Sequence, residues 1–134
     1  MKPTIYLIDD DPAILALLAE ITKSLGLITE SFTRAKYFFR QISSFETGSI
    51  LVLDLLIPEE DGIEVMKKLA KMENPPALIL ISGRGIDLLN SAEKLGHADN
   101  LKILGCLNKS DMVDKFQQLL EQHIPTETLS PNSF

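Results

Sequence analysis

Apolar positions in this chain alternate between two patterns: short unbroken runs, and longer stretches in which they recur at helical spacing. Ile5-Tyr6-Leu7-Ile8 is the first run and reads as a strand, closed by Asp9-Asp10-Asp11. Asp11-Pro12 then supplies an N-cap with proline at the first helical position, Ile14, Leu15, Leu17, Leu18, Ile21 and Leu25 follow at helical spacing, and Gly26 is the stop. Leu27–Phe32 reads as a weaker strand, and Thr33 is the expected cap of a short helix ending near Ile42. Ser49–Leu53 is a continuous apolar strand of the kind buried on both faces, closed by Asp54. After Pro58, Asp61 and Gly62, a helix is marked by Ile63, Val65, Met66, Leu69 and Met72 and ended by Asn74-Pro75-Pro76. Ala77–Ile81 is the fourth strand, Gly83-Arg84-Gly85 a loop, Ile86–Leu95 a helix, Leu101–Leu107 the fifth strand, and Ser110 the expected cap of a last helix carrying Met112, Val113, Phe116, Leu119 and Leu120.

Strands alternating with helices imply right-handed crossovers and a parallel sheet covered on both faces, the α/β doubly wound class. Ligands of such sheets sit at the carboxyl ends of the strands, where strand order reverses. Asp9, Asp10, Asp54, Ser82 and Lys109 all fall at predicted carboxyl ends. An acidic residue ending a buried strand is costly unless its charge is offset. Two such ends converging predict one acidic pocket, and a divalent cation is its expected occupant.

Composition narrows the class. The chain has 134 residues, 45% hydrophobic and 24% charged, which fits one ordinary globular domain with a real core. A formal net charge of −6 argues against direct binding of nucleic acid. The single cysteine, Cys106, excludes an internal disulfide and makes a reducing cytoplasm the expected setting. No signal-peptide core follows Met1, and no apolar stretch approaches the ~20 residues of a membrane span, so no membrane partner is expected.

The motifs Leu7-Ile8-Asp9-Asp10-Asp11, Leu53-Asp54 with Pro58 and Asp61-Gly62, Ile81-Ser82-Gly83 and Asn108-Lys109 occur in order at the ends of successive strands. In this the chain resembles the receiver domain of bacterial two-component response regulators. The resemblance covers residues 3–124 and implies a flavodoxin-like sheet of five parallel strands in the order 2-1-3-4-5, with 1–124 as the receiver and 125–134 as a tail or the start of a linker. It implies that Asp54 accepts a phosphoryl group from a sensor histidine kinase or histidine phosphotransfer protein. Asp10 and Asp54 would then supply carboxylates to Mg²⁺, Asp9 would act through water, and the Leu56 carbonyl would complete the protein ligands. Lys109 would neutralise a phosphoryl oxygen, and Ser82 would donate its hydroxyl to the phosphoryl group. The implied output face is the helix Ile86–Leu95, the strand Leu101–Leu107 and the last helix, which is also a candidate surface for phosphorylation-driven dimerisation. The stretches Ser82-Gly83-Arg84 and Leu101–Leu107 are similar to those of receivers fused to cyclic-di-GMP phosphodiesterase (EAL-type) domains.

Departures from the family pattern are equally specific. Ser110 follows Lys109 where a proline, often cis, is usual, and Cys106 stands where many members carry a switch aromatic. The Ser82–Lys109 interval is longer than usual by about one helical turn, with Gly96–Asn100 as the expected extension. Leu56 and Arg84 occupy positions that tune hydrolysis in the family, and an apolar Leu56 cannot orient a water, so slow self-dephosphorylation is expected. Two alternatives follow from these residues: a degenerate, phosphorylation-independent interaction module, and a small Mg²⁺-dependent phosphatase with Asp9 as its nucleophile. Asp11 reads as a helix cap, Cys106 as a small buried strand residue, His97 and His123 as surface residues, Met66 and Met72 as core, and Phe38 and Phe39 as covering the sheet.

Overall fold

The computed structural model describes residues 3–83 and 86–129. The five predicted strands are β1 (Thr4–Ile8), β2 (Ile28–Phe32), β3 (Ile50–Asp54), β4 (Ala77–Ser82) and β5 (Ile103–Asn108). They form one parallel sheet in the order β2-β1-β3-β4-β5, as expected. The helices are α1 (Pro12–Ser24), α2 (Ala35–Gln41), α3 (Gly62–Ala70), α4 (Ile86–Ala98) and α5 (Met112–His123). A two-stranded antiparallel ribbon, Leu56–Ile57 against Glu60–Asp61, follows β3 and is absent from the sequence expectation.

Strand alternation builds two cores. Ile5, Leu7, Ile50, Val52, Ile79 and Ile81 face one way, onto Leu15 and Leu18 of α1 and Phe116 and Leu120 of α5. Tyr6, Ile8, Leu51, Leu53, Leu78 and Leu80 face the other way, onto α2, α3 and α4 through residues that include Phe38, Met66, Leu69 and Leu89. Every residue of β3 is buried, as its unbroken apolar run predicts. The edge strands β2 and β5 are partly open. Phe38 is fully buried, edge-on to Tyr6, Phe32 and Phe39 and stacked on Phe45, so the aromatics cover the sheet as anticipated. Met66 is core and Met72 packs against it from a half-buried position, while His97 and His123 are exposed.

Helix ends differ from expectation in four places. Helix α3 stops at Ala70 with Lys71 as its C-cap, so Met72 lies beyond it and the helix ends short of Asn74-Pro75-Pro76. Thr33 does not cap α2: Arg34 occupies that position with no side-chain bond, and the Glu60 carboxylate arrives from the ribbon instead. Nor does Ser110 cap α5. Its N–H and hydroxyl both donate to Asn108 Oδ1, and Asp111 becomes the N-cap position. Helix α4 runs on to Ala98 because Gly96 lets it lie against Ile103 and Met66, where a Cβ would come within 2.8 Å of Ile103 and 3.0 Å of Met66. It then closes at Asn100, in left-handed conformation (φ 63°), with the Leu101 N–H donating back to Gly96 at 2.9 Å. The expected extension is thus the last turn of a helix and its cap. Beyond α5, Thr126–Thr128 form one 3-10 turn and Leu129 packs against the α1/α5 core.

Candidate phosphoacceptor and metal site

Parallel register brings the candidate residues to one end of the sheet. Ile8 pairs with Leu53, which sets Asp9 beside Asp54; Asp54 pairs with Ile81, and Ser82 with Asn108, which sets Lys109 at the same edge. Asp9, Asp54 and Ser82 are buried, while Asp10 and Lys109 are half-buried at the rim. The Lys109 ammonium lies 3.0 Å from Asp54 Oδ2 and 3.3 Å from Asp9 Oδ2. The other Asp54 oxygen, Oδ1, accepts the Leu56 N–H at 3.0 Å, and Asp9 Oδ1 accepts the Asp11 N–H at 2.9 Å. Asp11 itself caps α1 through the Ala13 N–H, as its position before Pro12 predicts.

Backbone links tie these strand ends together. The Leu55 N–H donates to Ile81 and the Lys109 N–H to the Ser82 carbonyl, both near 3 Å (3.0 and 3.1 Å). Gly83 lies against the stem of Lys109, where an added Cβ would make ordinary contact, 3.4 Å from Cδ. The Asn108 turn holds Ser110, so the lysine loop forms without proline, and no cis peptide bond occurs among the described residues. Leu56 directs its side chain outward, 42% exposed, at the mouth of the site. Arg84 lies outside the described residues.

Two of the three carboxylates at this edge pair with one ammonium. One oxygen each from Asp9, Asp10 and Asp54 lies within 4.8 Å of the other two, a spacing that could hold a divalent cation. Burial pushes the Asp9 carboxyl up to about 6; the Asp11 N–H opposes this, the Asp54 charge adds to it, and Lys109 opposes it again. Burial lowers the Lys109 pKa, but the hydrogen bond and charge of Asp54, followed by Asp9, outweigh it and the net shift is upward. Asp9 Oδ2 is buried and, although the ammonium is 3.3 Å away, it makes no hydrogen bond. A buried carboxylate oxygen held only by an ion pair at 3.3 Å, within a cluster of three acids, fits a hard, oxygen-seeking ion. Cys106, by contrast, is half-buried on β5 with its thiol pushed up to about 11 by burial and then by Glu93, which leaves it a packing residue.

Nothing in the local sequence marks Glu60, yet it joins the loop that follows β3 to α2. The available signal was negative: Arg34-Ala35-Lys36 opens a helix with neither a capping side chain nor an acid in its first turn.

Comparison with known proteins places the chain in a family. The sequence profile of the response regulator receiver domain matches residues 5–121. The response regulator protein TmoT of Ectopseudomonas mendocina is 36% identical over 99 residues, covering 73% of this chain and 44% of its own length. The response regulator protein TodT of Pseudomonas putida is 35% identical over 96 residues, covering 71% of this chain and 42% of its own. This chain therefore spans less than half the length of these curated relatives. A response regulator from Colwellia psychrerythraea superposes with a TM-score of 0.78 at 30% identity, covering 91% of this chain and 96% of that one.

Proposed function

Because this chain belongs to the response regulator receiver domain family, we propose that it is a phosphorylation-controlled switch with Asp54 as the phosphoacceptor. The donor is a phosphohistidine on a sensor kinase or phosphotransfer protein. A carboxylate oxygen of Asp54 attacks phosphorus, the P–O bond forms as the P–N bond breaks, and the imidazole leaves and takes up a proton. Asp9, Asp10, Asp54 and the Leu56 carbonyl would hold Mg²⁺, which when bound neutralises the anionic phosphoryl oxygens. Lys109 holds a second charge at the acceptor, and Ser82 stands on the neighbouring strand end to donate its hydroxyl to the transferred group.

The observation that carries this reading is the buried Asp54 carboxylate, oriented by the Leu56 N–H on one oxygen and Lys109 on the other. Positioning plus charge stabilisation is most of what phosphoryl transfer requires. The acid cluster beside it, with an oxygen lacking a hydrogen bond, supports the metal.

Phosphorylation then biases the loop after β4 and the α4–β5–α5 face, where Ile86 and Val113 are exposed apolar side chains suited to an output partner or a second copy. Residues 1–124 are taken as the receiver and 125–134 as a tail or linker start, in keeping with the greater length of the relatives. A cyclic-di-GMP phosphodiesterase-type output domain is proposed from the likeness of the β4–β5 stretches alone. A cytoplasmic setting agrees with the lone cysteine and with the lack, among the described residues, of a helix long and apolar enough to cross a membrane. Intact mass after incubation with Mg²⁺ and acetyl phosphate tests the core of this reading. One added phosphoryl group that disappears in Asp54→Asn supports it; no addition to a folded wild-type protein refutes it.

A further inference from the structure

The segment after Asp54 is stapled at three points, and one staple reaches a helix that cannot cap itself. At its start, the Leu56 N–H binds Asp54 Oδ1. At its end, the Asp61 carboxylate caps α3 at Ile63, and Gly62 lies so close to Leu55 that a Cβ would come within 2.8 Å of the Leu55 Cα. Between them, Ile57 pairs with Glu60 across a turn in which Glu59 takes a left-handed φ of 69°. Glu60 then extends its carboxylate to α2, Oε1 accepting the Ala35 N–H at 2.6 Å and Oε2 the Lys36 N–H at 2.9 Å.

Helix α2 depends on that contact. It has seven residues, too few to persist alone, and its cap position is Arg34, whose guanidinium turns back to the Thr33 carbonyl at 2.8 Å. Its first turn carries Lys36 and no acid, the wrong sign for the positive end of a helix. A two-pronged carboxylate from 25 residues away meets both needs, with charge-assisted bonds stronger than neutral ones.

We propose that Glu60 is a positioning residue for the Asp54 site: it clamps the acceptor loop onto α2, so that the occupancy of Asp54 and the placement of α2 are coupled. This rests on Asp54 being the phosphoacceptor. Without the clamp the ribbon loses its far anchor, and the Leu56 N–H loses part of its fixed orientation toward Asp54. Coupling is reciprocal, so a partner gripping Lys36, Tyr37 or Arg40 on the outer face of α2 changes the reactivity of Asp54.

The test compares wild type, Glu60→Met, Arg34→Asp and the double variant in the full chain. Arg34→Asp installs a cap within α2 that owes nothing to the ribbon. Three readouts are taken: the thermal midpoint, the initial rate of phosphoryl uptake from acetyl phosphate at fixed Mg²⁺, and the α2 amide resonances with and without Mg²⁺ and beryllofluoride. Glu60→Met is expected to lower the midpoint and slow uptake roughly three- to tenfold. The double variant is expected to recover the midpoint but not the rate, and its α2 amides no longer respond to beryllofluoride as those of wild type do. Recovery of the rate together with the midpoint would make Glu60 a helix cap and nothing more. Uptake at the wild-type rate in Glu60→Met would also overturn the proposal. If Glu60→Met does not fold, Glu60→Gln, which keeps one acceptor oxygen, carries the test: an intermediate rate supports the clamp and an unchanged rate refutes it. Failure of wild type to take up a phosphoryl group at all would instead overturn the Asp54 assignment, and the clamp with it.

Discussion

The Lys109 ammonium sits 3.0 Å from Asp54 Oδ2 although 55 residues separate the two in the chain. It is also the cation 3.3 Å from the buried oxygen of Asp9, so one side chain offsets two buried carboxylates. Removing it leaves both without their nearest positive charge. Lys109→Met is expected to destabilise the metal-free protein by about 2 kcal/mol, below the usual cost of breaking a fully buried pair because the lysine is partly exposed. Denaturant titration with EDTA and then with Mg²⁺ checks this: the ion is expected to recover part of the loss.

The pH dependence has a definite sign. Asp9 has its folded pKa raised from 3.8 to about 6, so between those values the folded protein holds a proton that the unfolded chain has lost. Its contribution to stability is fully present below 3.8 and is lost as pH rises through about 6. Without divalent ions, Asp9→Asn is expected to flatten the stability profile over that window, measured by denaturation at stepped pH in EDTA. Lys109, whose pKa is raised, contributes stability that is lost only above the ordinary lysine range.

Leu56 stands exposed at the mouth of the site with no polar group to orient an attacking water. The wild-type acyl phosphate is therefore expected to persist for minutes or longer. Leu56→Asn supplies a donor and an acceptor there and is expected to speed hydrolysis by roughly tenfold. Loss of the phosphoryl group followed by intact mass gives both rates, and a wild-type half-life of seconds would contradict the argument.

Two glycines give opposite expectations. At Gly62 a Cβ meets Leu55 backbone, 2.8 Å from Cα and 2.9 Å from O, so Gly62→Ala forces the acceptor loop to move and is expected to cost about 1–3 kcal/mol. At Gly105 the obstruction is the tip of Leu119, 2.7 Å from Cδ1, which can rotate, and Gly105→Ala is expected to cost under about 1 kcal/mol. Thermal unfolding of the two variants separates them.

What the sequence made legible follows from how local each cause is. Unbroken apolar runs closed by Asp9, Asp54 and Ser82 place those residues at strand ends whatever else happens, and the parallel sheet does the gathering. Helix ends were less legible because an exposed N–H takes whichever acceptor arrives. Asn108 captured Ser110 from two residues away, and Glu60 reached α2 from the far side of the acceptor loop. The ribbon Leu56–Asp61 left no periodic signal because each of its strands has only two residues. Helix α4 outran its apolar spacing because Gly96 fits a gap set by Ile103, a residue of the next strand.

The position of the phosphoryl bond decides whether Asp54 is the phosphoacceptor. An aspartyl phosphate reduced with borohydride becomes homoserine, which tandem mass spectrometry locates in the chain. After treatment with Mg²⁺ and acetyl phosphate, homoserine is expected at position 54 and at no other aspartate. Homoserine at position 9 would instead make this a site with Asp9 as its nucleophile, and its absence from a folded protein would contradict phosphoryl acceptance altogether.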